Sequence, residues 1–213
     1  MIAACKASVS IPVFVMVRPR GGGFAYSDAE REVMLRDVLV ARELGADGVV
    51  IGALRRDGRV DVGLVRMLVD AAGELPVTFH RAFDLTADLS TSLEALIDAG
   101  VQRVLTAGGA PNAKEGAPAI TALVRQAGSR IVVMAGGGVR QENVRELVDA
   151  SGVREVHVRL TRLMGGKAAA SGARVRLRKP LPDDEGAWEE TDEERMRSFV
   201  ATLDGDRRAE GLP

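Results

Sequence analysis

Residues 101–138, VQRVLTAGGAPNAKEGAPAITALVRQAGSRIVVMAGGG, decide the fold. An apolar, β-branched run (Val101–Thr106) leads through a glycine-bearing turn into a stretch with helical spacing (Ala117–Gln126). Gly128 then precedes a second run (Arg130–Met134), which ends in a second glycine turn. Two short apolar runs joined by one amphipathic helix read as a β-α-β unit of a parallel sheet with a right-handed crossover.

The unit recurs in both directions. Further runs lie at Ile11–Val17, Asp47–Gly52, Pro76–His80 and Glu155–Val158, and further helical stretches at Asp28–Leu44, Asp61–Ala72, Ser90–Ala99 and Gln141–Ala150. In Asp28–Leu44 the start can be capped by Ser27 or Asp28, and Val33, Met34, Val38, Leu39 and Ala41 form one apolar face. Gly45, Gly73, Gly100, Gly128 and Gly152 follow the five helices, where a C-cap favours glycine. The strands recur about every 29 residues.

Two architectures share this rhythm. A doubly wound sheet carries GxGxxG after its first strand, whereas the first turn here reads RPRGGGFAYSD. A (β/α) barrel fits the regular repeat better, but eight units need about 230 residues and six are present before the pattern stops near Val158. The expected fold is therefore α/β: an incomplete TIM-barrel-like repeat over residues 1–160, followed by a divergent segment, 161–213. In that segment Arg174–Lys179 reads as a basic edge strand, the first half of Pro182–Arg195 as an acidic solvated loop, Asp192–Leu203 as a last helix and Asp204–Pro213 as a frayed tail.

Composition narrows the function. Across 213 residues, 46% are hydrophobic and 28% charged, as in a chain with a substantial core. The 29 basic and 30 acidic residues leave a net charge of −1, which argues against nucleic-acid and anionic-membrane partners. One cysteine, Cys5, excludes an internal disulfide framework and a multi-thiolate zinc site. No apolar run is long enough to span a bilayer and the first residues do not read as a signal peptide, so a cytoplasmic protein is expected.

In parallel α/β folds the functional face lies at the carboxyl ends of the strands. This places Arg18, Arg20 and Gly21–Gly23 after the first strand, Ala53–Arg55 after the second, and His80, Arg81 and Asp84 after the third. Thr106 and Gly108–Gly109 follow the fourth, Gly136, Gly137 and Gly138 the fifth, and His157 with Arg159 the sixth. Arginines beside glycine turns that expose backbone N–H groups make an anion-friendly mouth; an arginine shell closed on Asp84 and other acids is the competing reading. The glycines of residues 136–138 equally fit a tight turn needing positive φ. His80 with Asp84 reads as a candidate base and its orienting acid. None of the four lysines ends a strand of the repeat, which disfavours Schiff-base chemistry, and no pair of carboxylates sits at strand ends.

The strings IPVFVMVRPRGGGFAYSDAE, ARELGADGVVIGAL, LPVTFHRAFDLT, RVLTAGGAPNAKEG and RIVVMAGGGV closely resemble the CutC family of copper homeostasis proteins, from about Ile2 to His157. The resemblance implies a TIM-barrel-like fold, a cytoplasmic or partly nuclear location, homo-oligomers, copper ion binding, and mouth residues Arg18, Arg20, His80, Arg81, Asp84, Thr106 and His157. Family members normally begin with a strand, a helix and a second strand ahead of the Ile11 run, so Met1–Ser10 is expected to be a helix remnant and the chain N-terminally shortened. The strands so missing are those whose cysteines are suspected of holding copper. Ala135 stands where the family has proline, and the sequence after His157 drifts from the family's pattern.

Copper(I) prefers thiolate and thioether ligands. Here that leaves Cys5 as the candidate ligand, with Met16 and Met134 inside strands expected to be core filler. Three functions stand at this point: a CutC-like copper homeostasis protein; a barrel enzyme acting on a small phosphate- or carboxylate-bearing substrate through Arg18, Arg20, His80 and the Gly136–Gly138 turn; or an interaction protein whose exposed sheet edges take partners.

Overall fold

The computed structural model describes residues 1–165 and 187–209. A short helix, α1 (Ile2–Ser8), precedes the repeat: β1 (Phe14–Met16), α2 (Asp28–Glu43), β2 (Gly48–Ile51), α3 (Val62–Ala72), β3 (Val77–Phe79), α4 (Leu89–Asp98), β4 (Arg103–Thr106), α5 (Ala117–Ala127), β5 (Val132–Gly136), α6 (Val144–Ser151) and β6 (Glu155–His157). A 3₁₀ turn, Arg81–Leu85, follows β3. The six strands pair in parallel and in chain order. The sheet curls as half of a (β/α) barrel, and the TIM-barrel-like expectation holds.

The core lies between the outer face of this sheet and the helices. Val49, Ile51, Val77, Phe79 and Val104 from the strands meet Met34, Val38, Leu64, Leu68, Leu93, Leu96 and Ile120 from the helices, all fully buried. Each such side chain stabilises the fold by about 1.5–3 kcal/mol relative to exposure. Helix α2 starts where a capping box closes: the Ser27 hydroxyl accepts from Glu30 N–H while the Glu30 carboxylate accepts from Ser27 N–H. It buries Met34, Val38 and Ala41. Val33 and Leu39, expected on the same face, are 45% and 37% exposed. At 100° per residue they fall on the flanks of a stripe only one contact row wide.

The inner face of the sheet is built around Arg103. Its guanidinium binds Glu155 on β6 through two contacts, 2.5 and 3.0 Å, reaches Thr78 Oγ1 on β3 at 3.4 Å, and lies 5.2 Å from the Phe14 ring on β1. Gly48 is what lets that ring lie flat on β2, since a Cβ there would come within 2.3 Å of it. Met16, expected to be core filler, is 59% exposed. It sits on the edge strand β1, where no neighbouring strand among the described residues covers it.

Met1–Val139 with Asn143–His157 make one compact unit, and the rest of the described residues make a second. The second unit contains an antiparallel ribbon of β7 (Thr161–Gly165) and β8 (Ala187–Thr191), then α7 (Glu193–Ala209). This corrects two expectations. Ala187 and Trp188, expected in the loop half, begin a strand, 187–191: Arg162 pairs across the ribbon with Glu190, and Arg159, just ahead of β7, with Glu189, so the acidic stretch has basic partners. The last helix also runs on through residue 209 instead of fraying after 203. The edge strand expected at Arg174–Lys179 lies outside the described residues.

Candidate functional site

The expected mouth residues do end their strands on one face of the repeat, but they resolve into separate networks. The first is centred on Asp84, presented by the 3₁₀ turn after β3. Its Oδ1 accepts from Thr106 Oγ1 at 2.5 Å and from the Ala107 and Gly109 N–H groups at 3.0 Å; its Oδ2 accepts from Arg81 Nε at 2.7 Å. The carboxylate is 6% exposed. Donors that sequence reading assigned to a bound anion are therefore taken up by the protein's own carboxylate, and the arginine-shell reading holds for Arg81. Gly137 serves that arrangement: with φ at +101° it lies against the Arg81 guanidinium, where a Cβ would come within 2.7 Å. Gly138, also at positive φ, packs on Asn112, so these glycines form the tight turn that the second reading required.

His80 belongs elsewhere. Its Nδ1 accepts from Ala82 N–H at 3.1 Å, which leaves the proton on Nε2. Nε2 is buried with no partner among the described residues. The ring presses on Gly52, where a Cβ would come within 2.0 Å, and tilts against Phe24 with ring centroids 5.0 Å apart. Arg18 caps the stack, its guanidinium 4.7 Å above Phe24 and donating to Gly22 O at 2.8 Å. Burial pushes the His80 pKa down to about 4, with the nearby Arg18 charge adding to the effect. His80 and Asp84 share no hydrogen bond: the base-and-orienting-acid pair expected from sequence is not assembled, because His80 Nδ1 is taken by the Ala82 N–H and Asp84 by donors of the turn after β4 and by Arg81.

Arg20 is closed too. It pairs with Glu30 and donates to Gly23 O at 2.7 Å and Ala25 O at 2.8 Å, so it braces its own loop. His157 ends β6 next to Gly136, with its pKa lowered by burial. Cys5 lies apart, exposed on α1, a helix with no buried residue. Among the described residues no three His, Cys, Asp or Glu side chains are placed to hold a metal ion. A closed Cu(I) site takes two or more soft donors, and one thiolate does not make it.

Sequence reading passed over Phe24, Tyr26, Gly52 and Arg103. A signal existed for the aromatics: in a chain with five Phe, one Tyr and one Trp, two fall in one loop, Phe24-Ala25-Tyr26. Tyr26 is buried. Burial raises its pKa against the opposing charges of Arg18 and Arg20.

The model of the CutC family matches residues 1–161. The chain belongs to the CutC family. Among CutC relatives, the CutC family protein of Xylella fastidiosa is 43% identical over 203 residues, covering 95% of this chain and 74% of that one. The human copper homeostasis protein cutC homolog is 45% identical over 203 residues, covering 94% and 74%. A solved CutC structure from Streptococcus agalactiae superposes with a TM-score of 0.71 at 36% identity, covering 73% of this chain and 78% of that one. The CutC barrel scaffold thus extends to this chain, with the Asp84 network and the His80 stack at the carboxyl ends of its strands.

Proposed function

We propose that this chain works in copper homeostasis, with Cu(I) as its cargo. The reading is carried by the 45% identity, over nearly the whole chain, to a human protein named for copper homeostasis. The exposed Cys5 thiol is the ligand this chain contributes, and it handles copper at an open surface position and not in a closed site. Cytoplasmic residence and a homo-oligomeric state belong to the same proposal.

The test is a Cu(I) competition titration against a chromophoric bidentate chelator under reducing conditions, run on the full chain and on Cys5→Ser. The expected result is weak binding of about one equivalent that the substitution abolishes. Equal uptake by both proteins removes Cys5 from the reading. No uptake by either, together with unchanged copper tolerance when the gene is deleted, overturns it.

A further inference from the structure

The connection from β2 to α3 folds back on itself. Leu54 and Val60 bridge antiparallel, Arg55 N–H donates to Arg59 O at 2.8 Å, and Gly58 N–H donates to Arg55 O at 3.0 Å. This tip presents Arg55, Arg56 and Arg59, all exposed, and none of the three guanidinium groups has a partner among the described residues. Asp57, the acid within the tip, accepts from the Arg59 backbone N–H at 3.1 Å. The contrast with the neighbouring arginines is sharp: Arg20 is closed on Glu30, Arg31 on Asp61 and Arg81 on Asp84. Three arginines and one acid within five residues leave the tip with a net positive charge, which invites an anion.

A cleft of about 580 Å³ lies beside this tip, lined by Arg55, Arg56, Leu54 and Tyr26 together with the closed pairs Arg20–Glu30 and Arg31–Asp61. Those pairs cancel, so the lining carries two net positive charges, both from the tip. The volume falls within the range that holds small molecules. The Tyr26 ring, with the Arg20 guanidinium 5.2 Å from its centroid, lines the cleft beside Leu54. Arg59 lines the adjoining cleft, with Asp88, and adds to the local field.

We propose that this cleft binds a small molecule bearing a phosphate monoester, its dianionic phosphate gripped by Arg55 and Arg56. Both arginines line the cleft, and guanidinium forks suit the oxygens of a phosphate in charge and hydrogen-bonding geometry. The remainder of the cleft, with Leu54 and the Tyr26 ring, takes the organic part. The site is independent of copper, and it is not the Asp84 network, whose donors are already filled.

Calorimetric titration of the full chain with ribose 5-phosphate and with inorganic phosphate tests this, alongside the Arg55→Gln/Arg56→Gln double variant and an Arg36→Gln control on α2. The substituted side chains are exposed, and circular dichroism verifies that both variants keep the fold. The expected result is saturable binding of the ester, at least about tenfold tighter than free phosphate, lost by about tenfold or more in the double variant and kept in the control. Equal binding of ester and free phosphate overturns the ester in favour of the bare anion. Unchanged binding in the double variant, an equal loss in the control, or no binding of either probe at millimolar concentration overturns the site.

Discussion

Thr106 Oγ1 donates to Asp84 Oδ1 at 2.5 Å, and the same oxygen accepts from two backbone N–H groups of the turn that follows Thr106. One carboxylate after β3 thereby fixes the exit of β4, with Arg81 as its counter-charge. Removing a buried, fully bonded charge leaves its partners unsatisfied. Asp84→Ala is expected to cost about 3–5 kcal/mol, and Thr106→Val about 1–2 kcal/mol, since it removes one charge-assisted hydrogen bond. Urea unfolding of the three proteins measures both; losses under about 0.5 kcal/mol would show the network to be dispensable.

His80 makes stability depend on pH. Its folded pKa, about 4, lies below the ordinary histidine value, so the unfolded chain binds the proton more readily. The contribution is complete above about pH 6.5 and is lost as pH falls towards 4, amounting to roughly 3 kcal/mol in all. His157, also lowered by burial, acts in the same direction. In His80→Asn an amide oxygen takes over acceptance from Ala82 N–H. Unfolding free energies between pH 7.5 and 4.5 should fall less steeply for this variant than for the wild type; parallel slopes would mean that His80 is not held neutral.

The repeat itself was legible because its signals are local. Apolar runs, helical spacing and glycines after helices recur often enough to predict six parallel strands, and the five quoted strings identified the family. Which of the two readings of the mouth applies at Arg81 depends on a contact that sequence does not supply. Arg81, Thr106 and the Gly109 N–H look like free donors until Asp84, 22 residues from Thr106, is seen to occupy them. The aromatic stack on His80 depends on Gly52 and Phe24 both reaching the same ring from different parts of the chain. The β7–β8 ribbon is hidden in the sequence because Ala187–Thr191 is acidic, and its basic partners, Arg162 opposite Glu190 and Arg159 ahead of β7, lie 28 and 30 residues away. Arg55 was noted at a strand end, but the freedom of Arg55, Arg56 and Arg59 follows only from counting the acids already paired elsewhere.

Gly52 is the position where backbone shape and the candidate site meet. A methyl group there would overlap the His80 ring at 2.0 Å, and the ring is held on its other side by Phe24. Gly52→Ala is expected to cost about 1–3 kcal/mol through overpacking and to displace the imidazole. Nuclear magnetic resonance then reads a histidine titrating closer to pH 6.5, as the ring moves towards water. A variant with wild-type stability and an unmoved His80 signal would show that the ring has room to shift.

Arg103 ties together strands that are not neighbours. It joins β4 to Glu155 on β6 across β5, and to Phe14 on β1, with side chains 20% and 33% exposed in the Arg103–Glu155 pair. Partial exposure discounts the pair below a fully buried one, so a double-mutant cycle of Arg103→Met and Glu155→Gln is expected to give a coupling of about 1 kcal/mol. The single Arg103→Met change should cost more than that, about 1–3 kcal/mol, because it also strips the cation from the Phe14 ring and leaves Glu155 without its partner. High salt should shrink the coupling only slightly, since a pair half-shielded by the sheet is poorly screened. A coupling near zero at low salt would reduce Arg103 to a surface pair and leave the inner face of the sheet held by its backbone ladder alone.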